Sequence, residues 1–216
     1  MVGRILKPAA IVLFVFTLAC CTLLAQSPAI AHTSHSIIVT PAQAPAGLKS
    51  IYSNLGPTAT DDYNDTTGYY VAGATQTTTS EQWIALPFTN KLASHVEEIE
   101  AAIGYISGTN LVDVGIYSDS GSNSVGTLIA SGSSKTVPTF GTCCTLVTIK
   151  FKPPGVSLTA ATQYWIVGST DDTNGPDFLG AWAASNDDNV GGDVASGGWF
   201  TFSANVPAAA VLGTIP

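Results

Sequence analysis

Short segments in which apolar and polar residues alternate restrict the fold of this chain more than any other feature. The most regular example lies in residues 99–131. Its first part places one apolar set on a single side of an extended strand: Ile99, Ala101, Ile103 and Tyr105. Because successive side chains of a strand point to opposite faces, this period of two predicts a half-buried strand.

A second strand follows within the same stretch. Val112, Val114 and Ile116 form its apolar row, and the Ser-Gly-Thr-Asn segment at 107–110 supplies residues that a tight reversal tolerates. We therefore predict a hairpin of these two strands, then a polar loop and a third strand at 127–130. An isolated hairpin is marginally stable in water, so the apolar rows also predict a second sheet packed over it.

The same pattern recurs downstream, without a helical period of 3.6 residues. Residues 82–88 and 145–151 alternate, whereas residues 164–167 are apolar on both faces, as in a central strand that is covered on both sides. Asp/Asn/Gly-rich loops are predicted at 170–180 and 185–198. Many short strands between Gly, Pro and Asn turns predict an all-β fold, a two-layer antiparallel β-sandwich or jelly roll.

The N-terminal segment has the pattern of a secretory signal peptide. Arg4 and Lys7 precede an apolar run at 9–19, and Ala29-Ile30-Ala31 is a small-x-small cleavage motif. The apolar run is too short to favour a permanent membrane span, so we expect none in the mature chain.

These features divide the chain into three parts. We predict a signal peptide at 1–31, a flexible lead-in rich in Pro, Ala, Ser and Thr at 32–49, and one β-sandwich domain at 50–214. A domain of this length can bury a core of its own.

The charge of the chain argues against polyanionic partners. Its net charge is −8, and the part beyond the signal peptide has five Lys, no Arg and fifteen acidic residues. Such a surface does not follow the phosphates of a nucleic acid or bind an anionic membrane. Neutral extracellular glycans, cations and surface proteins stay open as partners.

Two adjacent cysteines, Cys143 and Cys144, are the only ones after the predicted cleavage site. Export to an oxidising compartment favours a disulfide. However, Cα atoms of neighbouring residues lie about 3.8 Å apart, less than the usual disulfide separation. The sequence therefore leaves open a vicinal disulfide or two free thiols on opposite faces of a strand.

Acidic loops are the candidates for a metal site: Asp171, Asp172, Asp177, Asp187 and Asp188. Carboxylate oxygens are ligands that Ca²⁺ prefers, although the spacing matches no EF-hand and Asp is also a common turn residue. We expect no obligatory cofactor, and we keep a structural calcium ion at these positions as a hypothesis.

Aromatic residues that border the polar loops are the candidates for ligand binding: Tyr69, Tyr70, Trp182 and Trp199. Sugars present apolar C–H faces rimmed by hydroxyl groups, and aromatic rings beside amides and carboxylates suit both features. The alternative for each ring is burial in the core, where most aromatic residues of a sandwich lie.

Catalytic residues are not evident in the sequence. Glu98 and Glu100 share one strand face, but alternating glutamates are typical of an exposed face, and glycoside hydrolysis needs one carboxyl group in an apolar pocket. His95 is the only histidine of the predicted domain, and there is no G-x-S-x-G motif. We predict that the protein is not an enzyme.

Several motifs, in order, resemble the choice-of-anchor R domain family. Among them are Tyr52-Ser53-Asn54-Leu55-Gly56, Phe140-Gly141-Thr142-Cys143-Cys144 and Gly197-Gly198-Trp199. The resemblance spans about residues 50–214 and implies an exported bacterial domain without a defined activity, often followed by a PEP-CTERM sorting tail. No Val-Pro-Glu-Pro motif or closing apolar helix follows here, so we expect a soluble extracellular protein.

Together, these features favour a secreted, non-enzymatic interaction module of the extracellular matrix or cell envelope. A carbohydrate-binding jelly roll is the alternative, and an extracellular hydrolase is the third hypothesis.

Overall fold

The computed structural model describes residues 47–56, 62–186, 192–195, 198–202 and 205–216. Within these ranges the chain forms strands and no helix, so no described helix could cross a membrane. The strands are β1 (Lys49–Ser53), β2 (Asn64–Ala72), β3 (Trp83–Asn90), β4 (Ser94–Ala101), β5 (Ile103–Ser107), β6 (Val112–Asp119), β7 (Val125–Ser134), β8 (Val147–Lys150), β9 (Val156–Leu158), β10 (Thr162–Ser169), β11 (Leu179–Ala184), β12 (Gly192–Ala195), β13 (Trp199–Phe202) and β14 (Ala209–Thr214). The predicted signal peptide lies outside the described residues.

Neighbouring strands pair in antiparallel fashion and form three sheets. A six-stranded sheet has the order β13-β12-β3-β10-β6-β7, and a five-stranded sheet has the order β1-β14-β4-β8 with β9 also beside β4. A three-stranded sheet has the order β2-β11-β5. The predicted all-β antiparallel fold is therefore confirmed.

The two smaller sheets join at Ala102, between β4 and β5. The Ala102 N–H donates to the Ala208 carbonyl oxygen at 3.0 Å, and the Ala102 carbonyl oxygen accepts from the Ala183 N–H at 2.9 Å. Because β4 and β5 continue one another through this joint, the five- and three-stranded sheets act as one bent layer. This layer covers one face of the six-stranded sheet.

The main core lies between the two layers. Fully buried side chains alternate along each inner strand, as a period of two requires: Ile84 and Leu86 in β3, Ile99 and Ala101 in β4, Val112, Val114 and Ile116 in β6, and Ile166 in β10. The apolar rows that the sequence identified are therefore the rows that fill this core.

The predicted hairpin between residues 99–105 and 112–116 is wrong. β5 pairs with β11, whereas β6 pairs with β10 and β7 in the opposite layer. The turn between them therefore crosses the sandwich, and both apolar rows face the same core from opposite sides. The third predicted strand does form, within β7, and it pairs with β6.

The prediction for residues 164–167 is confirmed, since β10 lies between β3 and β6 and is buried on both faces. By contrast, part of the loop predicted at 185–198 is a strand, because β12 pairs with β3 and β13.

The glutamates of β4 also differ from expectation. Glu98 and Glu100 point away from the main core, as the alternation indicates, but each is only 4% exposed. Their neighbours on β14, Leu212 and Ala210, are buried as well. The two glutamate side chains are therefore enclosed, although Thr148 and Lys150 opposite them are exposed, and the prediction of exposed glutamates is wrong.

Candidate binding face

The outer face of the six-stranded sheet has an apolar cluster of its own. Ala85, Val125, Trp165 and Val167 are buried there, and the partly buried rings of Trp83, Tyr117 and Trp199 pack against them. Alternation explains the placement, because Ile84, Ile116 and Ile166, each adjacent in sequence to one of these residues, point into the main core. We call Trp83, Tyr117, Trp165 and Trp199 the aromatic face.

Strand register places the four aromatic residues in two pairs, and Pro87 rather than Trp83 lies opposite Trp165. Trp165 of β10 lies opposite Tyr117 of β6, and Ala195 of β12 lies opposite both Trp83 and Trp199. Trp165 is 1% exposed and forms the floor, whereas the other three rings are partly exposed. Partly exposed rings therefore lie on either side of the buried Trp165 along the sheet.

A group of polar side chains borders Trp165 and Tyr117 at one end of β6. Asp119 Oδ1 accepts hydrogen bonds from Trp165 Nε1 and from Gln163 Nε2, both at 3.0 Å. Gln163 Nε2 also donates to Asn123 Oδ1 at 2.9 Å. These two contacts use only the side-chain amide nitrogen of Gln163, so its side-chain carbonyl oxygen has no described partner. We call Asp119, Asn123 and Gln163 the polar rim.

Hydrogen bonding keeps the rim carboxylate ionised. Desolvation acts to raise the pKa of Asp119, but the bonds from Trp165 Nε1 and the Gly121 N–H outweigh it and lower this pKa below its ordinary value. The rim therefore presents a fixed negative charge and oriented amide groups beside the rings.

A second carboxylate lies at the other end of the outer row of β6. The Ser133 hydroxyl donates to Asp113 Oδ1, yet burial raises the pKa of Asp113. Burial and the charge of Asp113 also raise the pKa of Tyr117. Asp113 is six residues from Asp119 along one strand, so about 20 Å separates them at 3.3–3.4 Å per residue.

An apolar side chain extends the face onto the edge strand β7. Leu128 lies opposite Tyr117 and is 51% exposed. Leu128 also approaches Gly115, where an added Cβ would be 3.1 Å from Leu128 Cδ1. The exposed part of the face is therefore wider than the four rings.

Of the four aromatic residues proposed from the sequence, only Trp199 lies on this face. Trp182 is fully buried, and its Nε1 donates to the Ala208 carbonyl oxygen at 2.8 Å, so it is a core residue. Tyr69 packs against the core in the other layer, and its hydroxyl donates to the Asn205 carbonyl oxygen at 2.6 Å. Tyr70 is also on β2, away from the aromatic face.

Sequence analysis missed Trp83, Tyr117 and Trp165. The available signal was their position in period-two strands, since each is adjacent to an isoleucine of the main core. A search for bulky residues opposite the core row would have grouped them.

Two carboxylates of the acidic loop proposed for calcium accept hydrogen bonds from the protein. Asp171 accepts from the Thr173 N–H at 2.7 Å and from Asn174 Nδ2 at 2.6 Å, and Asp177 accepts from the Thr109 N–H at 3.1 Å. These bonds lower the pKa values of Asp171 and Asp177. Asp172 lies in the same turn, and no group of three metal-ligating side chains occurs among the described residues. Asp187 and Asp188 lie outside them.

The cysteine pair forms a vicinal disulfide, Cys143–Cys144. Tyr63 lies beside it, because its hydroxyl donates to the carbonyl oxygens of Thr142 at 3.1 Å and Thr145 at 3.2 Å. Of the two arrangements that the sequence left open, the structure therefore has the bridge.

His95 contacts one potential nucleophile. Its Nδ1 lies 3.1 Å from the Ser157 hydroxyl oxygen, across the β4–β9 pair. No described carboxylate hydrogen-bonds the imidazole, so the third group that would orient it in a triad is absent from the described residues.

Comparison with known proteins found no matching family model, no matching curated protein and no matching solved structure.

Proposed function

We propose that this protein is an exported, non-catalytic binding module that holds a neutral carbohydrate on the aromatic face. The observation that carries the proposal is a set of partly exposed rings on one face of one sheet, with the polar rim beside Tyr117 and Trp165 at one end of that face. A β-sandwich usually leaves the outer face of a sheet polar, so three tryptophans and a tyrosine there need an explanation.

Sugar chemistry matches both parts of this surface. The apolar C–H side of a pyranose ring stacks on Trp83, Tyr117 or Trp199, and its hydroxyl groups bond to amides and carboxylates. Asp119 accepts hydrogen bonds, and the Gln163 carbonyl oxygen is oriented by two bonds from the same side chain. Few side chains need to be ordered on binding, because the polar rim is already hydrogen-bonded to Trp165, the buried floor of the face.

Charge favours a neutral polymer over an acidic one. The chain has a net charge of −8, and Asp113 and Asp119 place carboxylates at both ends of the same row. A polyanionic glycan would meet repulsion at either end.

The distance between the two carboxylates of β6 argues for binding without hydrolysis on this face. Paired catalytic carboxyl groups of glycosidases lie about 5–10 Å apart. Asp113 and Asp119, at opposite ends of β6, are separated by about twice that distance or more.

The proposal is tested by screening the secreted chain on an array of neutral and acidic glycans. Binding is then compared for Trp199→Ala and Phe200→Ala. Phe200 is the matched control, because it is the next residue of β13, is 60% exposed and points to the other face of the strand.

We expect W199A to weaken binding at least tenfold, within the range for one lost stacking contact, and F200A to bind as the wild type does. Failure of every neutral glycan to bind would overturn the proposal, as would equal losses in the two variants. Retention of a protein ligand alone would identify the face as a protein interface and would also overturn it.

A further inference from the structure

Two tryptophans of the aromatic face lie at the same level on strands that are not neighbours. Ala195 of β12 lies opposite Trp199 of β13 on one side and opposite Trp83 of β3 on the other. Because neighbouring strands lie about 4.8 Å apart, about 9.5 Å separates the backbones at Trp199 and Trp83. Both residues are partly exposed, so a ligand that lies across the strands can contact both rings.

A carboxylate lies at the same level two strands further on. Gly168 of β10 lies opposite Ile84 of β3 and Val114 of β6. Trp83 and Asp113 directly precede these two residues, and β3 and β6 run in the same direction, since both are antiparallel to β10. Trp83 and Asp113 are therefore level with each other, and about 9.5 Å again separates their backbones.

These three residues, Trp199, Trp83 and Asp113, form what we call the cross-strand track. The only polar side-chain atom of Trp83, Nε1, is enclosed and has no hydrogen-bond partner among the described residues, so the exposed part of this indole is hydrocarbon. Asp113 is partly exposed; its Oδ1 accepts from the Ser133 hydroxyl, and its Oδ2 has no described partner. The track therefore offers two apolar surfaces and then a hydrogen-bond acceptor, at equal intervals.

Tyr117 does not belong to the track. It lies opposite Trp165, which in turn lies opposite Pro87, four residues along β3 from Trp83. About 13 Å therefore separates the level of Tyr117 from that of the track. A straight ligand that follows the track does not reach this ring.

The interval of the track matches one class of neutral polymer. In an extended β-1,4-linked chain of hexoses each sugar is turned over relative to its neighbour, so every second sugar presents the same face. This two-sugar repeat is close to two strand spacings. An α-1,4-linked chain coils instead and does not keep equivalent faces on one straight line. A polyanionic chain is disfavoured by the carboxylate of Asp113 and by the net charge of −8.

We propose that the aromatic face binds an extended, neutral β-1,4-linked polysaccharide that runs across the strands along the cross-strand track. Alternate sugars stack on Trp199 and Trp83, and the next equivalent sugar donates a hydroxyl hydrogen bond to Asp113 Oδ2. Three consecutive sugars reach both indoles, and five reach the carboxylate as well. This inference rests on the proposed function and adds to it the linkage and the direction of the glycan.

The first test uses the wild-type chain and measures Kd by calorimetry. The ligands are cello-, manno- and N-acetylated chito-oligosaccharides of two to six units. In the series that binds, we expect affinity to rise about tenfold between two and three units, where the second indole is reached, and about tenfold between four and five, where Asp113 is reached. Maltohexaose, which is α-1,4-linked, should bind at least tenfold more weakly than the β-linked hexasaccharide.

The outcomes separate this inference from the proposed function. Affinity that ignores linkage, or that rises at other chain lengths or not at all, would overturn the inference and leave the proposed function in place. Binding only of neutral glycans outside the β-1,4-linked series would do the same. Failure of every neutral glycan to bind would overturn both.

Variants assign the two steps in affinity to residues of the track. Trp83→Ala leaves one indole, so W83A should bind the disaccharide and the trisaccharide equally well. Trp199→Ala, on the edge strand β13, makes the same prediction at a second position. Asp113→Ala should remove only the step between four and five units. Phe200→Ala, on the other face of β13, should keep both steps. The Tm of each variant is measured alongside to establish that it is folded, and wild-type length profiles in W83A and W199A would overturn the inference.

Discussion

A Cβ atom on Gly168 would lie 2.9 Å from Cε3 of Trp182. Gly168 is on β10 of the six-stranded sheet and Trp182 is on β11 of the opposite layer. The indole ring therefore fills the space that the missing side chain leaves between the two layers.

Adding that Cβ should destabilise the protein. We expect Gly168→Ala to lower the free energy of unfolding by about 1–3 kcal/mol, because the well-packed indole must shift to admit a methyl group. Chemical denaturation of G168A and of the control Gly198→Ala measures the effect. At Gly198 the nearest atoms to an added Cβ belong to the Phe200 ring at 3.8 Å, an ordinary contact, so G198A should stay within about 0.5 kcal/mol of wild type. Equal stability of the two variants would contradict this packing.

The rim carboxylate should stabilise the floor of the aromatic face. Asp119→Ala removes the acceptor of the buried Trp165 N–H, and we expect a loss of about 1–3 kcal/mol in unfolding free energy. Asp119→Asn keeps one acceptor oxygen and should lose less. Denaturation measures the unfolding free energy of both variants. Glycan affinity should fall more in D119A than in D119N. A D119A variant as stable as wild type would show that the indole finds another acceptor.

Much of the fold followed from local alternation. The apolar row of β6 was identifiable because its inward and outward residues differ in polarity, and β10 was recognisable as central because both of its faces are apolar. Alternation shows which residues of a strand share a face, but it does not show which of the two layers of the sandwich the strand belongs to. It therefore could not distinguish a β5–β6 hairpin from a crossing between layers, since the inward rows of both strands meet the same core.

The candidate site was less predictable. Trp182 borders a polar loop in the sequence. Its ring nevertheless lies in the core, where it occupies the space beside Gly168 of the facing strand β10. The sequence places Trp83 and Trp165 in strands, but which side of the six-stranded sheet the second layer leaves uncovered depends on long-range packing. Likewise, the burial of Glu98 and Glu100 depends on long-range contacts that a strand pattern does not contain.

The most direct test of the aromatic face uses the indole N–H signals of the four tryptophans, Trp83, Trp165, Trp182 and Trp199, in a ¹⁵N-labelled sample. A neutral glycan identified on the array is titrated in, and the four signals are followed by two-dimensional NMR. We expect the Trp83 and Trp199 signals to shift in a saturable manner while that of Trp182, held in the core by Ala208, stays in place. Unchanged Trp83 and Trp199 signals at saturating glycan would contradict the account.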